Sequence, residues 1–110
     1  MSSAAESSAV IVLTTVGADT DAAELARTLV EQRLVACVNI VAGVTSIYRW
    51  KEAVEQDDEQ ILVMKTTTEL LVALQARLRE LHPYELPEFV VLTVSGGSEA
   101  YLGWLCGSVG

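Results

Sequence analysis

The sequence predicts an α+β domain in which a four-stranded antiparallel sheet has two long helices on one face. Segments with strand and helix patterns follow one another in the order βαββαβ, and a short helical pattern comes last. Two long strand patterns flank the acidic segment 51–58, which indicates a hairpin. Polar residues that can cap a helix stand where each helical pattern begins.

The first unit is a strand followed by a helix. Residues 9–16 form an apolar run rich in β-branched side chains and end at Gly17, which is typical of a buried strand. Asp21 and Glu24 have the spacing of a capping box, with Asp in place of the usual Ser or Thr. Apolar residues follow them at helical spacing, so a helix with one buried face is predicted.

A long hairpin and a second helix make up the middle of the chain. Segments 36–50 and 59–67 have strand patterns, and we expect the acidic residues between them to form a solvated hairpin tip. Thr68 is expected to cap the second helix. The leucines of that helix step by three or four residues along one stripe: Leu71, Leu74, Leu78 and Leu81.

A corner bounded by prolines follows the second helix. Segment 82–88 contains the only histidine and both prolines of the chain. Because proline disfavours a helical conformation at the residue before it, the helix should end at Leu81 or His82. A strand pattern over 89–94 and a short helix capped by Ser98 complete the order. Right-handed crossovers then place both long helices on one face of the sheet, which is the ferredoxin-like arrangement.

Length and composition limit the function. The chain has 110 residues and a formal net charge of -8, so we expect one domain over 9–110 and a disordered tail over 1–8. The negative charge opposes contact with phosphate backbones, so nucleic acid is not an expected partner. Residues 1–9 lack the features of a secretory signal, and no apolar run is long enough for a membrane span. With Cys37 and Cys106 expected as reduced thiols, a cytoplasmic protein is predicted.

The strand patterns also predict an oligomer. A sheet with one solvated face alternates apolar and polar residues, but segments 10–13, 61–64 and 89–92 are apolar on both faces. A second copy of the chain is the expected cover for the face that the helices leave bare. The long hairpin adds strand edges that a second copy would pair. We therefore expect a homo-oligomer formed through sheet faces and hairpin arms.

Five short motifs follow one another along the chain: ACVNI (36–40), TSIYRW (45–50), MKT (64–66), LHPYExPE (81–88) and YLxW (101–104). In this order and spacing they resemble the signatures of the CutA family, the divalent-cation-tolerance proteins. The resemblance implies a PII-like homotrimer whose sheets face inward and whose extended hairpins pair between subunits. It also implies a cytoplasmic protein connected with copper and other divalent metal ions, without catalysis and without a tightly bound cofactor.

Two features, the metal-ligand positions and the hairpin turn, depart from the family pattern. The resemblance places the copper ligands of some members, a cysteine and two histidines, at Thr14, Leu81 and His82 of this chain. It therefore leaves His82, combined with Glu85 or with a group from the next subunit, as the predicted metal site. Copper or another divalent cation should bind weakly there, because one imidazole without a thiolate is a poor copper site. The family also commonly has a glycine where this chain has Glu52, so the hairpin turn is expected to differ in shape.

Further candidates are expected to line a cleft between subunits. They are two charged residues and three aromatic ones: Lys65, Glu88, Tyr48, Trp50 and Tyr84. The aromatic rings have polar tips, which suits a cleft or a structural interface. The charged side chains suit a ligand or a salt bridge, because Lys65 interrupts an apolar strand and Glu88 stands close to Glu85 in sequence.

Two other functions stay open on the sequence. A signalling module of PII type would bind a small anion or nucleotide in the cleft between subunits, where Lys65 and Arg49 supply positive charge. No glycine-rich phosphate loop supports it. A small phosphatase would need a phosphate-binding loop with an arginine and an asparagine, and no such loop precedes Asn39 or Arg49.

Overall fold

A computed structural model describes residues 8–110, so the predicted tail lies, except for Ser8, outside the described residues. Within that range the elements follow in the order β1 (Ala9–Gly17), α1 (Ala22–Glu31), β2 (Cys37–Trp50), β3 (Ala53–Thr67), α2 (Leu71–Leu81), β4 (Val90–Thr93) and α3 (Glu99–Gly107). The strands lie in the order β2-β3-β1-β4, and each neighbouring pair is antiparallel. The predicted α+β fold with its βαββαβ order and C-terminal helix is confirmed.

The core lies between one face of the sheet and helices α1 and α2. Leu74 and Leu78 of α2 are buried, and Leu71 and Leu81 pack against the same cluster, as the leucine stripe predicts. The other buried members of the cluster come from helix α1, the segment after it and the inward residues of the strands: Ala22, Leu25, Leu29, Val35, Val12, Val16, Leu62 and Met64. Burial of this apolar surface is the main force that holds the helices on the sheet.

Two of the three predicted helix caps are present. The side chain of Asp21 accepts a hydrogen bond from the Glu24 amide at 3.1 Å, and Ser98 accepts one from the Tyr101 amide at 3.2 Å. The prediction for Thr68 is wrong, because a short 3-10 turn over Thr68–Leu70 links β3 to α2 and places Thr68 one turn before the α-helix. The residue before α2 is Leu70, which makes no side-chain cap.

The hairpin turn is shorter than the sequence suggests. Trp50 pairs with Ala53, so the turn consists of Lys51 and Glu52, whose φ angles are 50° and 69°. Positive φ at both central residues is the type I′ geometry that matches the twist of a hairpin. Because pairing begins at Ala53, the acidic residues Glu55, Asp57, Asp58 and Glu59 belong to β3 rather than to the hairpin tip, and the prediction of a tip is wrong for them.

The second face of the sheet carries apolar residues. Ile11 and Leu13 of β1 lie opposite Leu92 and Val90 of β4, and the two β4 side chains are each 45% exposed. The hairpin extends the molecule to 49 Å along its long axis against 25 and 24 Å across. Among the helices of residues 8–110, none is both long and apolar enough to cross a membrane.

Candidate functional site

The corner after α2 lies along the end of β1. Helix α2 ends at Leu81, and His82 has the extended backbone (φ -82°, ψ 133°) that a following proline favours. Pairing of β4 with β1 stops at Leu13 opposite Val90, so the loop 82–89 runs beside the last residues of β1. There the Nε2 atom of His82 lies 2.7 Å from the carbonyl oxygen of Thr15.

The hydrogen bonds of His82 define its tautomer. The amide of Tyr84 donates to Nδ1 at 3.1 Å, so Nδ1 carries the lone pair and Nε2 carries the proton that it donates to Thr15. The side chain is buried, with 6% exposure. A metal ion could bind either nitrogen only if one of these hydrogen bonds broke, and His82 as a metal ligand stays a prediction.

A groove of about 1310 Å³ opens beside this corner. The end of β1, the paired strands of the hairpin and the loop after α2 line it. It brings together five of the residues singled out in the sequence: Tyr48, Trp50, Tyr84, Glu85 and Glu88. Four further acidic residues, which sequence reasoning did not place at a site, complete the acidic lining: Asp19, Asp57, Asp58 and Glu59. We call this surface the acidic groove.

Two tyrosines of the acidic groove donate to carboxylates. Tyr84 Oη donates to Glu59 Oε2 at 2.6 Å, and Tyr48 Oη donates to Asp57 Oδ2. Burial, followed by the hydrogen bond to Glu59, raises the pKa of Tyr84 well above its usual range. The hydrogen bond to Asp57, together with nearby negative charge, raises the pKa of Tyr48 to about 12. Both phenols therefore stay protonated at neutral pH and keep donating to the carboxylates.

Glu59 is the most buried carboxylate of the acidic groove. Its exposure is 5%, and it lies at the end of the β1 pairing, opposite Gly17. A buried charge requires hydrogen bonds, and the Tyr84 hydroxyl supplies one across 25 positions of the chain. The sequence signal for these carboxylates is the alternation of Glu55, Asp57 and Glu59. It places three carboxylates on one face of β3 once the segment is known to be a strand.

The described residues of one chain hold no group of three His, Cys, Asp or Glu side chains that could bind a metal ion. Glu85, the second predicted ligand, is exposed and lies 4.0 Å from the ammonium of Lys51. Neither hydrogen bond of the His82 imidazole involves Glu85. A single described chain therefore does not form a complete inner coordination shell for a soft metal ion.

Lys65 lies apart from the acidic groove. Its ammonium donates to Tyr101 Oη at 3.2 Å and lies 5.5 Å from the centroid of the same ring, on helix α3. In the sheet, Lys65 of β3 lies opposite Cys37 of β2. Of the five predicted cleft residues, Lys65 is thus the one that the fold places beside α3.

Comparisons with known proteins agree with the motifs. Residues 10–108 match the sequence profile of the family described as CutA1 divalent ion tolerance protein. The divalent-cation tolerance protein CutA of Thermus thermophilus is 50% identical over 95 residues, which are 86% of this chain and 92% of that protein. The solved structure of the divalent cation tolerance protein from the same organism superposes with a TM-score of 0.89 at 47% identity, covering 93% of this chain and 99% of the other.

Proteins named CutA from two further organisms are also similar to this chain. The solved PII-like protein CutA from Nostoc sp. PCC 7120, in apo form, has a TM-score of 0.84 at 41% identity and is matched over 97% of its chain by 92% of this one. Protein CutA of Mus musculus is 45% identical over 84 residues, which are 76% of this chain and 48% of the mouse protein. This chain therefore spans about half the length of the mouse relative.

Proposed function

Because this chain belongs to the CutA1 divalent ion tolerance protein family, we propose that it binds copper or other divalent cations weakly and contributes to tolerance of these ions. In this proposal the protein is a non-catalytic homotrimer of the cytoplasm. The observation that carries the cation binding is the acidic groove, where six lining residues are acidic and, among the described residues that line it, none is basic.

The acidic groove suits weak cation binding. Carboxylates are the ligands that hard divalent ions prefer, and tight binding requires six or more oxygen ligands held around one ion. Since no three ligand groups of a described chain converge, an ion in the groove keeps much of its water. Copper also accepts imidazole, so His82 and Glu85 are the proposed contacts for Cu(II), at the cost of one hydrogen bond of His82.

The bare face of the sheet supports the proposed trimer. Val90 and Leu92 are 45% exposed, and Ile47 and Val54 on the hairpin are each 67% exposed. Such a surface on a small protein is typical of an interface between copies. Sedimentation velocity at micromolar concentration should give the mass of three chains, and a stable monomer would contradict the proposal.

The signalling alternative has less physical support. A nucleotide or other anion would meet repulsion in the acidic groove, where the aromatic candidates lie. Neither of the two basic candidates, Lys65 and Arg49, lines the groove, and Lys65 lies beside Tyr101 instead. We therefore do not propose anion binding at the groove.

Isothermal titration calorimetry with Cu(II) and Mn(II) tests the metal proposal. We expect weak binding of both ions to the unaltered protein, weaker binding to Glu88→Gln, and no change in Glu69→Gln, whose acidic side chain is exposed and lies outside the groove. Absence of heat with either ion contradicts the proposed cation binding. Identical Cu(II) isotherms for the unaltered protein and His82→Ala would remove His82 as a ligand.

A further inference from the structure

Lys65 interrupts the second face of the sheet. The strand pairings place it between Ile11 of β1 and Cys37 of β2, and Leu92 of β4 follows on the far side of Ile11. The preceding residue, Met64, is buried in the core under the helices, so Lys65 points to the face that α1 and α2 leave bare. A positive charge therefore lies among largely apolar side chains.

Lys65 has no carboxylate partner within residues 8–110 of its own chain. The ion pairs in that range, at the hairpin turn and on α2, do not include it. Its ammonium donates to the hydroxyl oxygen of Tyr101 at 3.2 Å, which supplies a hydrogen bond but no negative charge. A half-buried ammonium that a second copy covers requires a countercharge. The copy that covers Lys65 is therefore expected to supply one.

Glu55 is the carboxylate that matches this requirement. Glu55, Asp57 and Glu59 alternate along β3 on the face that also carries Lys65. Asp57 and Glu59 already accept hydrogen bonds from tyrosine hydroxyls. Glu55 is exposed, and its side chain makes neither a hydrogen bond nor an ion pair with residues 8–110. Its charge is thus available to another chain.

Glu55 and Lys65 belong to different parts of the molecule. Glu55 lies on the hairpin arm, residues 44–58, which extends past the end of β1 opposite Glu59. Lys65 lies on the four-stranded part of the sheet. Ten residues of one strand separate the two side chains, or about 33 Å, so they cannot pair within a chain.

A ring of three copies brings two different surfaces together at each contact, because it has no two-fold axis. The hairpin arm and the four-stranded part are two such surfaces, and their charges are complementary. We propose that each hairpin arm lies over the second face of the next copy, where its Glu55 forms an ion pair with Lys65 of that copy. The inference rests on the proposed trimer and assigns it a specific contact between subunits.

The side chains around Lys65 suit such a contact. Leu92 is 45% exposed, and Tyr101 and Trp104 of α3 are 41% and 50% exposed with their ring centroids 5.4 Å apart. Apolar and aromatic residues of this kind are enriched at the centres of interfaces. Covered by a second copy, they exclude water from the ion pair and strengthen the attraction between its charges.

Charge reversal tests the inference on the full chain. Lys65→Glu and Glu55→Lys each bring like charges together at all three contacts of a ring. Sedimentation velocity should show that each variant dissociates at a concentration at least about tenfold higher than the unaltered protein does. The double variant restores opposite charges and should dissociate within about threefold of the unaltered protein. Because Glu55 is exposed, Glu55→Lys tests the contact even if Lys65→Glu does not fold.

Mixing the two single variants shows whether the pair joins different chains. One variant is isotope-labelled, unfolded with an equal amount of the other and refolded, and native mass spectrometry counts the rings. Opposite charges then meet at two of the three contacts in every mixed ring, so mixed rings should exceed their statistical share of about three quarters. Labelled and unlabelled copies of the unaltered protein, treated in the same way, should give that share.

Matched variants separate this contact from an effect of net charge. Arg79→Glu on α2 and Glu69→Lys make the same charge changes at exposed positions outside the contact, and both should dissociate like the unaltered protein. A statistical share of mixed rings, or a double variant no more stable as a ring than the single ones, would overturn the inference. If the unaltered protein is a trimer in that case, the proposed trimer stands and only the ion pair is wrong.

Discussion

The Nε2 atom of His82 donates to the carbonyl oxygen of Thr15 at 2.7 Å and completes the edge of the sheet where β4 has not yet begun. A backbone carbonyl at this edge would otherwise lack a partner in the sheet ladder. The imidazole also accepts from the Tyr84 amide, so one side chain holds the end of β1 and the loop after α2 together. His82 is thus a structural link whether or not it also contacts a metal ion.

Replacement of His82 by Ala should destabilise the protein. The change leaves the Thr15 carbonyl and the Tyr84 amide without their partner, and we expect the free energy of unfolding to fall by about 2 kcal/mol. Urea denaturation followed by circular dichroism measures this change. Val72→Ala, at a position 84% exposed on the preceding helix, is the control and should have little effect. If His82→Ala is as stable as the unaltered protein, these two hydrogen bonds do not contribute to stability.

Replacement of Tyr84 by Phe should destabilise the protein, because the Tyr84 hydroxyl is a hydrogen-bond donor to the buried Glu59 carboxylate. Loss of the hydroxyl removes a hydrogen bond to a buried carboxylate, and we expect a loss of about 1–3 kcal/mol in the free energy of unfolding. Tyr101→Phe, whose hydroxyl is on an exposed residue and accepts from Lys65, is the matched control and should lose less. Equal losses in the two variants would contradict the structural role of the Tyr84 hydroxyl.

The same pair gives a pH dependence with a defined sign. Because the pKa of Tyr84 is raised in the folded protein, its contribution to stability is complete below the ordinary tyrosine pKa of about 10 and is lost as the pH rises above that value. The stability advantage of the unaltered protein over Tyr84→Phe should therefore be constant from pH 7 to about 9 and shrink at higher pH. Urea midpoints measured across this range check it, and an advantage that grows with alkaline pH would contradict the assignment.

Thr14 and Thr66 should respond in opposite directions to the same substitution. Both are fully buried, but Thr14 Oγ1 has no hydrogen-bond partner among the described residues, whereas Thr66 Oγ1 donates to the Leu34 carbonyl at 2.7 Å. Thr14→Val should raise the free energy of unfolding by about 1 kcal/mol, because it removes an unsatisfied hydroxyl, and Thr66→Val should lower it by about 1–2 kcal/mol. Thermal denaturation of both variants tests the contrast, which fails if the two shifts have the same sign.

Replacement of Glu52 by Gly should stabilise the hairpin. Glu52 has a φ of 69°, a conformation that costs most residues about 1 kcal/mol and glycine almost nothing. We expect Glu52→Gly to raise the free energy of unfolding by up to about 1 kcal/mol, less the extra freedom that glycine has in the unfolded chain. Val54→Gly, in the adjoining strand, should lower it. A loss of stability in both variants would show that relief of strain in the turn is smaller than the entropy that glycine adds to the unfolded chain.

Local signals in the sequence predicted most of the fold. Three kinds of signal depend on residues close together in the chain, and each has the predicted structure: the leucine stripe from Leu71 to Leu81, the caps at Asp21 and Ser98, and the helix end before Pro83. The error at the hairpin has a physical cause: the turn consists of residues that rarely adopt positive φ, so nothing local marked it as a two-residue turn. The acidic residues were therefore assigned to the tip rather than to β3.

The sequence by itself determined the order of the elements, the buried faces and the corner at His82, because hydrophobic periodicity and proline geometry act within a few residues. Only the tertiary structure decided the acidic groove. Strand register places Glu59 opposite Gly17, and the loop after α2 then brings Tyr84 to that carboxylate across 25 positions of the chain. The tertiary structure also places Lys65 beside Tyr101 and engages both ring nitrogens of His82 in hydrogen bonds. Such partners depend on how distant segments pack, and no local pattern records them.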